Sequence, residues 1–333
     1  MSVASSKDPA PNTSALFART SRLAERVIVP LNDAAIQGSG DRPAFFCVHS
    51  VSGAAGSDLA DLARRLEPAV RFYGIQAPFQ KMANADFSAS IESIADHYTG
   101  VLVEFQPEGP YLLGGHCAGA IIALEIANQL RTLGREVRLL IAIDAVPENT
   151  RAELPPWNPL YLMEVIGNWP GWIWNELITQ NWALRTLARR VTRNAVLLGR
   201  AVTGRRRGER LRGGYAIDEY MELSRYPPDQ RYFINRLYGA LFFYTPAIHP
   251  GRVVVYEAKI KPLIYSPQMR RTWSAIAPQT EFVAIAGNHL TMLQAPFVES
   301  LSQDIGRRIA SAFRPREAAP DNPRGAASIE HPS

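Results

Sequence analysis

The chain has 333 residues, 47% of them apolar and 20% charged, a globular composition that can fill a large core and excludes disordered and fibrous classes. Its net charge of +5 is not gathered on a zinc-finger, RRM or helix-turn-helix pattern, so nucleic acid is not expected as a partner. Two cysteines, no apolar run long enough for a membrane span and no secretory-type start point to a reducing compartment, the cytoplasm, with no membrane attachment.

Residues 1–22 and 314–333 are rich in Ala, Pro and Ser without periodicity and read as flexible tails. Between them, short apolar runs predict strands at 26–29, 44–48, 71–75, 111–114, 137–143, 252–257 and 281–285. Several are apolar at consecutive positions, the pattern of parallel strands covered on both faces. Helical periodicity occupies 58–66, 91–105, 118–133 (closed by Gly134) and 297–313. This alternation predicts an α/β fold: a doubly wound, mostly parallel sheet with helices on both faces. The rhythm breaks over 148–245, where helical patterns run on without a strand. An insertion there follows a strand's carboxyl end, over the edge where open α/β sheets bind ligands. It is therefore read as a helical lid on a core of 23–147 and 246–313.

The string Tyr111-Leu-Leu-Gly-Gly-His-Cys-Ala-Gly-Ala120 contains Gly115-His116-Cys117-Ala118-Gly119, a G-x-S-x-G elbow with cysteine in the serine's place, set between a strand and a helix. A nucleophile on so sharp a turn needs neighbours without side chains two positions either side, hence Gly115 and Gly119. The backbone N–H of Ala118 then faces the developing oxyanion, and the positive end of the next helix favours negative charge on the sulfur. Cys47, within the apolar strand, reads as a core thiol. The strand 44–48 runs into His49-Ser-Val-Ser-Gly53, where the second oxyanion donor belongs, and Val51 N–H is the candidate. The other reading of that loop is a plain turn into the next helix.

The order nucleophile, acid, histidine selects the base. His49 precedes Cys117 and reads as a loop-shaping residue; His116 lies in the elbow, His249 in a turn and His331 in the tail. His289, in Ala286-Gly-Asn-His-Leu-Thr-Met-Leu293, follows the last strand and is the candidate general base. Many enzymes of this kind carry the acid after the strand read at 252–257, but the loop 258–262 has no carboxylate. Asp144, ending the strand 137–143, is the candidate acid; a helix cap opening the lid is the alternative.

His49-Ser-Val-Ser-Gly53, the elbow string, Ile143-Asp-Ala-Val-Pro147 and Gly287-Asn-His-Leu-Thr-Met-Leu293 together resemble, in order and spacing, the thioesterase domains of nonribosomal peptide and polyketide synthetases. The likeness spans about residues 25–312 and implies the α/β-hydrolase fold, a triad of Cys117, His289 and Asp144, and Ala118 and Val51 as oxyanion donors. It departs from the family's pattern in having cysteine for the usual serine, and Ser50 where a proline is common. The implied activity is release, cyclisation or transfer of a peptide or polyketide acyl chain, with hydrolysis of stalled carriers or of free esters and lactones as alternatives. No metal and no cofactor are expected, the substrate arriving on the phosphopantetheine of an acyl or peptidyl carrier protein. No carrier or synthetase sequence precedes the domain, so the expectation is a free-standing enzyme served in trans, the alternative being a piece of a larger synthetase.

The insertion holds Trp157, Trp169, Trp172, Trp174 and Trp182, readable as lining for an acyl tunnel, as lid packing or as a membrane-interface contact. Between Arg185 and Arg212 stand ten arginines against one acid, Glu209. That stretch is either a solvated face or a landing site for an acidic carrier.

Overall fold

A computed structural model describes residues 27–38, 41–78, 90–147, 226–261 and 269–313, together with 163, 166, 167, 170, 171 and 223. Among the described residues, seven strands form one sheet: β1 (Ile28–Pro30), β2 (Ala44–Val48), β3 (Arg71–Ile75), β4 (Tyr111–His116), β5 (Val137–Ile143), β6 (Val253–Ile260) and β7 (Thr280–Asn288). Their order is β1-β3-β2-β4-β5-β6-β7. β1 runs antiparallel to β3, and every other pair is parallel.

The apolar runs form strands because both faces are covered. Alternate residues of β2 enter opposite layers, Phe46 and Val48 into one core cluster, Phe45 and Cys47 into the other. Cys47 is fully buried, and burial pushes its thiol well above the ordinary range, as an inert core group requires. The first cluster lies under α3 (Ile91–Phe105), α4 (Ala118–Thr132) and α6 (Met269–Ile276), the second under α2 (Ala55–Arg65) and α7 (Val298–Phe313). α3 starts at a reciprocal capping box between Ser90 and Ser93. α4 ends before Gly134, whose φ of 71° only glycine adopts freely.

The short helix α1 (Asp33–Gln37), capped by Asn32, and α6 were not read from the sequence. α5 (Pro228–Phe243) falls within the segment read as lid, yet its Phe233, Leu237, Ala240 and Leu241 join the same core cluster as α3 and α4. The arginine-rich stretch and the five lid tryptophans lie outside the described residues.

The parallel arrangement matters for chemistry because it aligns the carboxyl ends. Val48 pairs with Gly115, Gly115 with Ala142, and Ile143 with Tyr256, so the loops after β2, β4, β5 and β6 leave one edge of the sheet together.

Candidate active site

Cys117 stands between β4 and α4 with φ 56° and ψ −127°, a conformation that costs a residue bearing a Cβ about 1–3 kcal/mol. Its surroundings hold it there: Cys117 N–H donates to Ile143 O of β5 at 3.0 Å, and Ala120 N–H to Cys117 O at 3.1 Å. The flanking glycines are required by contact. A Cβ on Gly115 would lie 2.2 Å from the carbonyl carbon of Gly119, and one on Gly119 would lie 2.1 Å from His49 O and 2.6 Å from Val48 O. The start of α4 is therefore pressed against the loop that follows β2.

His289 arrives on a loop built by its own neighbours. Gly287 turns the chain at φ 92°, the Asn288 side chain accepts from the N–H groups of Leu290 and Thr291 at 2.9 Å each, and Thr291 Oγ1 accepts from Asn288 N–H at 2.8 Å. The string Gly-Asn-His-Leu-Thr is thus a closed turn presenting one imidazole. That imidazole hydrogen-bonds Cys117 on one side and donates through Nδ1 to Asp144 Oδ2, 2.8 Å away, on the other.

Asp144, just past β5, sits at φ 47°, a left-handed conformation that aspartate tolerates better than most side chains. Its N–H donates to Tyr256 O at 2.8 Å, locking the turn to β6. The carboxylate is almost fully shielded and its other oxygen accepts from Ala258 N–H at 2.9 Å, with Lys261 Nζ at 3.4 Å. Burial alone would raise this carboxyl; the His289 hydrogen bond and charge, Lys261 and the Ala258 amide outweigh it and hold Asp144 ionised far below the usual carboxylate range. The end of β6 and the residue after it, where no carboxylate stands, instead supply Ala258 N–H and Lys261, which with His289 keep Asp144 charged. Lys261 was not singled out from the sequence; its role depends on β5 lying beside β6.

Burial also works against charge on His289, but the Cys117 sulfur, the Asp144 hydrogen bond and the Asp144 charge together drive its pKa well above that of an ordinary imidazole. The Cys117 sulfur is the largest of these raising influences, so Cys117→Ala is expected to move the His289 titration to lower pH. The ring proton shift of His289, followed by NMR against pH in both proteins, measures this; an unchanged midpoint would mean that sulfur and imidazole do not interact.

His116, in the elbow, lies against His289. Its Nε2–H donates to His289 O at 2.9 Å, and the two rings lie tilted at 31° with centroids 4.5 Å apart. Burial, then the charge of His289, lower its pKa to about 3, so His116 is a neutral neighbour of the candidate base. His49 is fully buried: its Nδ1–H donates to Ser50 O at 2.5 Å and its Nε2 accepts from the Tyr98 hydroxyl at 2.8 Å. Burial lowers its pKa to about 4, and it shapes the loop after β2 without reaching the triad's line of contacts. Val51 occupies that loop and Ala118 opens α4; the contact of Gly119 with His49 O and Val48 O brings the two segments together. No cluster of three metal-binding side chains occurs among the described residues, and none of their helices is long and apolar enough to cross a membrane.

Residues 43–159 match the family model of the thioesterase domain, a segment that holds Cys117 and Asp144 but ends before His289. Enterobactin synthase component F of Escherichia coli K12 is 33% identical over 132 residues, 40% of this chain and 10% of that protein. Chondramide synthase of Chondromyces crocatus is 25% identical over 309 residues, 89% of this chain and 7% of that protein. The chain thus spans a tenth or less of these two relatives. Among solved structures, the NocB thioesterase domain in covalent complex with a fluorophosphonate nocardicin G analogue aligns with a TM-score of 0.53 at 20% identity, covering 85% of this chain and 99% of that one. The surfactin-cyclising thioesterase domain SrfTE aligns at 0.52 with 16% identity, over 86% of this chain and 96% of its own. The chain therefore shares an α/β-hydrolase fold with these thioesterase domains, and its residues 43–159 resemble the thioesterase segments of nonribosomal peptide and polyketide synthetases.

Proposed function

We propose that the chain is an acyl-thioesterase or acyltransferase that carries a peptide or polyketide chain on Cys117 and releases, cyclises or transfers it. The observation that carries this reading is the continuous line of contacts from the Cys117 thiol through the His289 imidazole to the Asp144 carboxylate, on a strained elbow at the sheet's carboxyl edge. The Cys117 thiol gives its proton to His289 Nε2 as its sulfur attacks the thioester carbonyl, and the carbonyl's π electrons move to oxygen, where Ala118 and Val51 N–H groups receive the charge. When the tetrahedral intermediate collapses, the departing thiol takes a proton from His289 and the acyl group remains on Cys117. An incoming water, amine or hydroxyl then gives its proton to His289 as it attacks, and Cys117 leaves. Asp144 keeps His289 in the tautomer with its proton on Nδ1 and stabilises the imidazolium.

The relatives that carry the matched segment are named as synthases of enterobactin and chondramide, which supports a carrier-bound acyl chain as the substrate; delivery on phosphopantetheine by a carrier protein in trans is part of the same proposal. Sulfur suits transfer. Acylating a serine converts a thioester to a more stable oxoester, whereas acylating Cys117 keeps a thioester, which favours amines and other strong nucleophiles over water. The parent is therefore expected to transfer or cyclise its acyl group at least as readily as it hydrolyses it, and Cys117→Ser to acylate slowly and shift towards hydrolysis or stall. Intact-mass detection of the acyl-enzyme, with product partition for both proteins on carrier-bound chains, tests this. Free acid as the parent's sole product, with amines and hydroxyls supplied, would make it an editing hydrolase. Turnover of simple esters in preference to matched thioesters would make it an esterase.

A further inference from the structure

The loop after β2 carries a second constellation that the triad does not use. Asp58, in the first turn of α2, accepts from the Ser52 hydroxyl at 2.6 Å and from the Ser50 hydroxyl, both on the same carboxylate oxygen, Oδ2. Its other oxygen accepts from Ser57 Oγ at 3.1 Å. Ser52 Oγ accepts in turn from Ala54 N–H at 3.1 Å, and Ser50 Oγ is within 3.4 Å of both Ser52 Oγ and Ser52 N. This is not helix capping: the residue at the N-cap of α2 is Ala54, and the carboxylate turns back to the loop instead of to the helix's own N–H groups. The helix N-terminus favours the carboxylate's charge at this place.

The two serines flank Val51. Upstream, the loop is fixed by His49 N–H donating to Ile75 O at 2.9 Å and by the close approach of Gly119 to the carbonyls of Val48 and His49. Downstream, Gln230 Nε2 of α5 donates to Ser52 O at 2.9 Å. The Ser50–Val51 peptide is held at its carbonyl, where Ser50 O accepts from His49 Nδ1–H at 2.5 Å and from Gly53 N–H at 3.2 Å, and the side chains on either side of Val51, those of Ser50 and Ser52, are both held by one carboxylate oxygen. An oxyanion donor works only if it is aimed before the charge appears, so the group that aims it contributes to the rate without touching substrate. We propose that Asp58 is a positioning residue of the oxyanion hole, setting the Val51 N–H through the hydroxyls of Ser50 and Ser52. The proposal rests on the reading of Val51 as an oxyanion donor.

The test compares the parent with Asp58→Ala, Asp58→Asn and the double variant Ser50→Ala/Ser52→Ala, each shown to be folded by its melting curve. An acyl aldehyde probes the hole without a thioester: the Cys117 sulfur adds to the aldehyde carbon, the carbonyl π pair moves to oxygen, and that oxygen takes a proton to give a hemithioacetal. Iodoacetamide is the control, since the sulfur–carbon bond forms as iodide departs and no oxyanion develops. Losing a single oxyanion donor costs about a hundredfold or more in kcat, so a misaimed one is expected to lower kcat and aldehyde affinity about tenfold to a hundredfold in Asp58→Ala, with KM and the iodoacetamide rate within about twofold of the parent. Asp58→Asn, which keeps an acceptor oxygen, should lie between. The serine double variant should match Asp58→Ala, and combining the two should add little, because both remove one interaction. Parent-like aldehyde affinity in both folded Asp58→Ala and the serine variant would overturn the proposal, as would an iodoacetamide rate that falls in step with aldehyde affinity. A parent that forms the aldehyde adduct but turns over no thioester, with adduct affinity lost in Asp58→Ala, would retire the proposed substrate and keep the positioning role.

Discussion

Cys117→Ala is expected to abolish acyl transfer, and His289→Ala to be almost as damaging, with losses of kcat on the order of a millionfold for either and no further loss in the double variant. The two side chains share a hydrogen bond and act as one unit, so removing either leaves the other with nothing to activate or to receive protons from. The alanine protein should remain folded. It keeps the Cβ whose strain the surrounding strands already bear, and it removes one sulfur atom from a partly exposed position. Single-turnover acylation followed by intact mass is the measurement. Appreciable acylation of Cys117→Ala would place the nucleophile elsewhere.

Asp144→Asn is expected to lower kcat by about ten-thousandfold while leaving substrate binding and melting temperature close to the parent's. The backbone argument for intact structure is specific: at φ 47° asparagine is as well tolerated as aspartate, whereas alanine would add strain. The amide oxygen can still accept from Ala258 N–H and Lys261, which turns the amide nitrogen towards His289 Nδ1. A donor in that place forces the imidazole into the tautomer that cannot take a proton from Cys117. Activity within about tenfold of the parent would show that Asp144 does not orient the base, and Glu148 would be the first replacement to try.

Much of this site was legible along the chain because its signals are local. The elbow needs glycine two positions either side of the nucleophile, and Gly287 with Asn288 and Thr291 builds the histidine turn from adjacent residues. β2, β3 and β5 stand where continuous apolar runs place them. What could not be read depends on which strands are neighbours. Lys261 meets Asp144 across 117 positions of sequence, and His116 meets the carbonyl of His289 across 173. Neither pairing follows from spacing until β4, β5, β6 and β7 are laid side by side in that order. α6 was missed for a different reason: at eight residues it is short, and its buried stripe of Met269, Thr272, Trp273 and Ile276 includes a threonine that blurs the apolar pattern. α5 shows a mixed role, since it lies in the insertion by sequence and in the core by packing.

The strained elbow also sets the terms on which this protein can evolve. Glycine is the residue that the backbone at position 117 would accept most easily, and glycine has no nucleophile. Selection for heat resistance alone would therefore favour glycine at this position, and any lineage that keeps a thiol there does so against its own folding stability. Stabilising changes elsewhere in the sheet and helices are the reserve that lets such a residue persist.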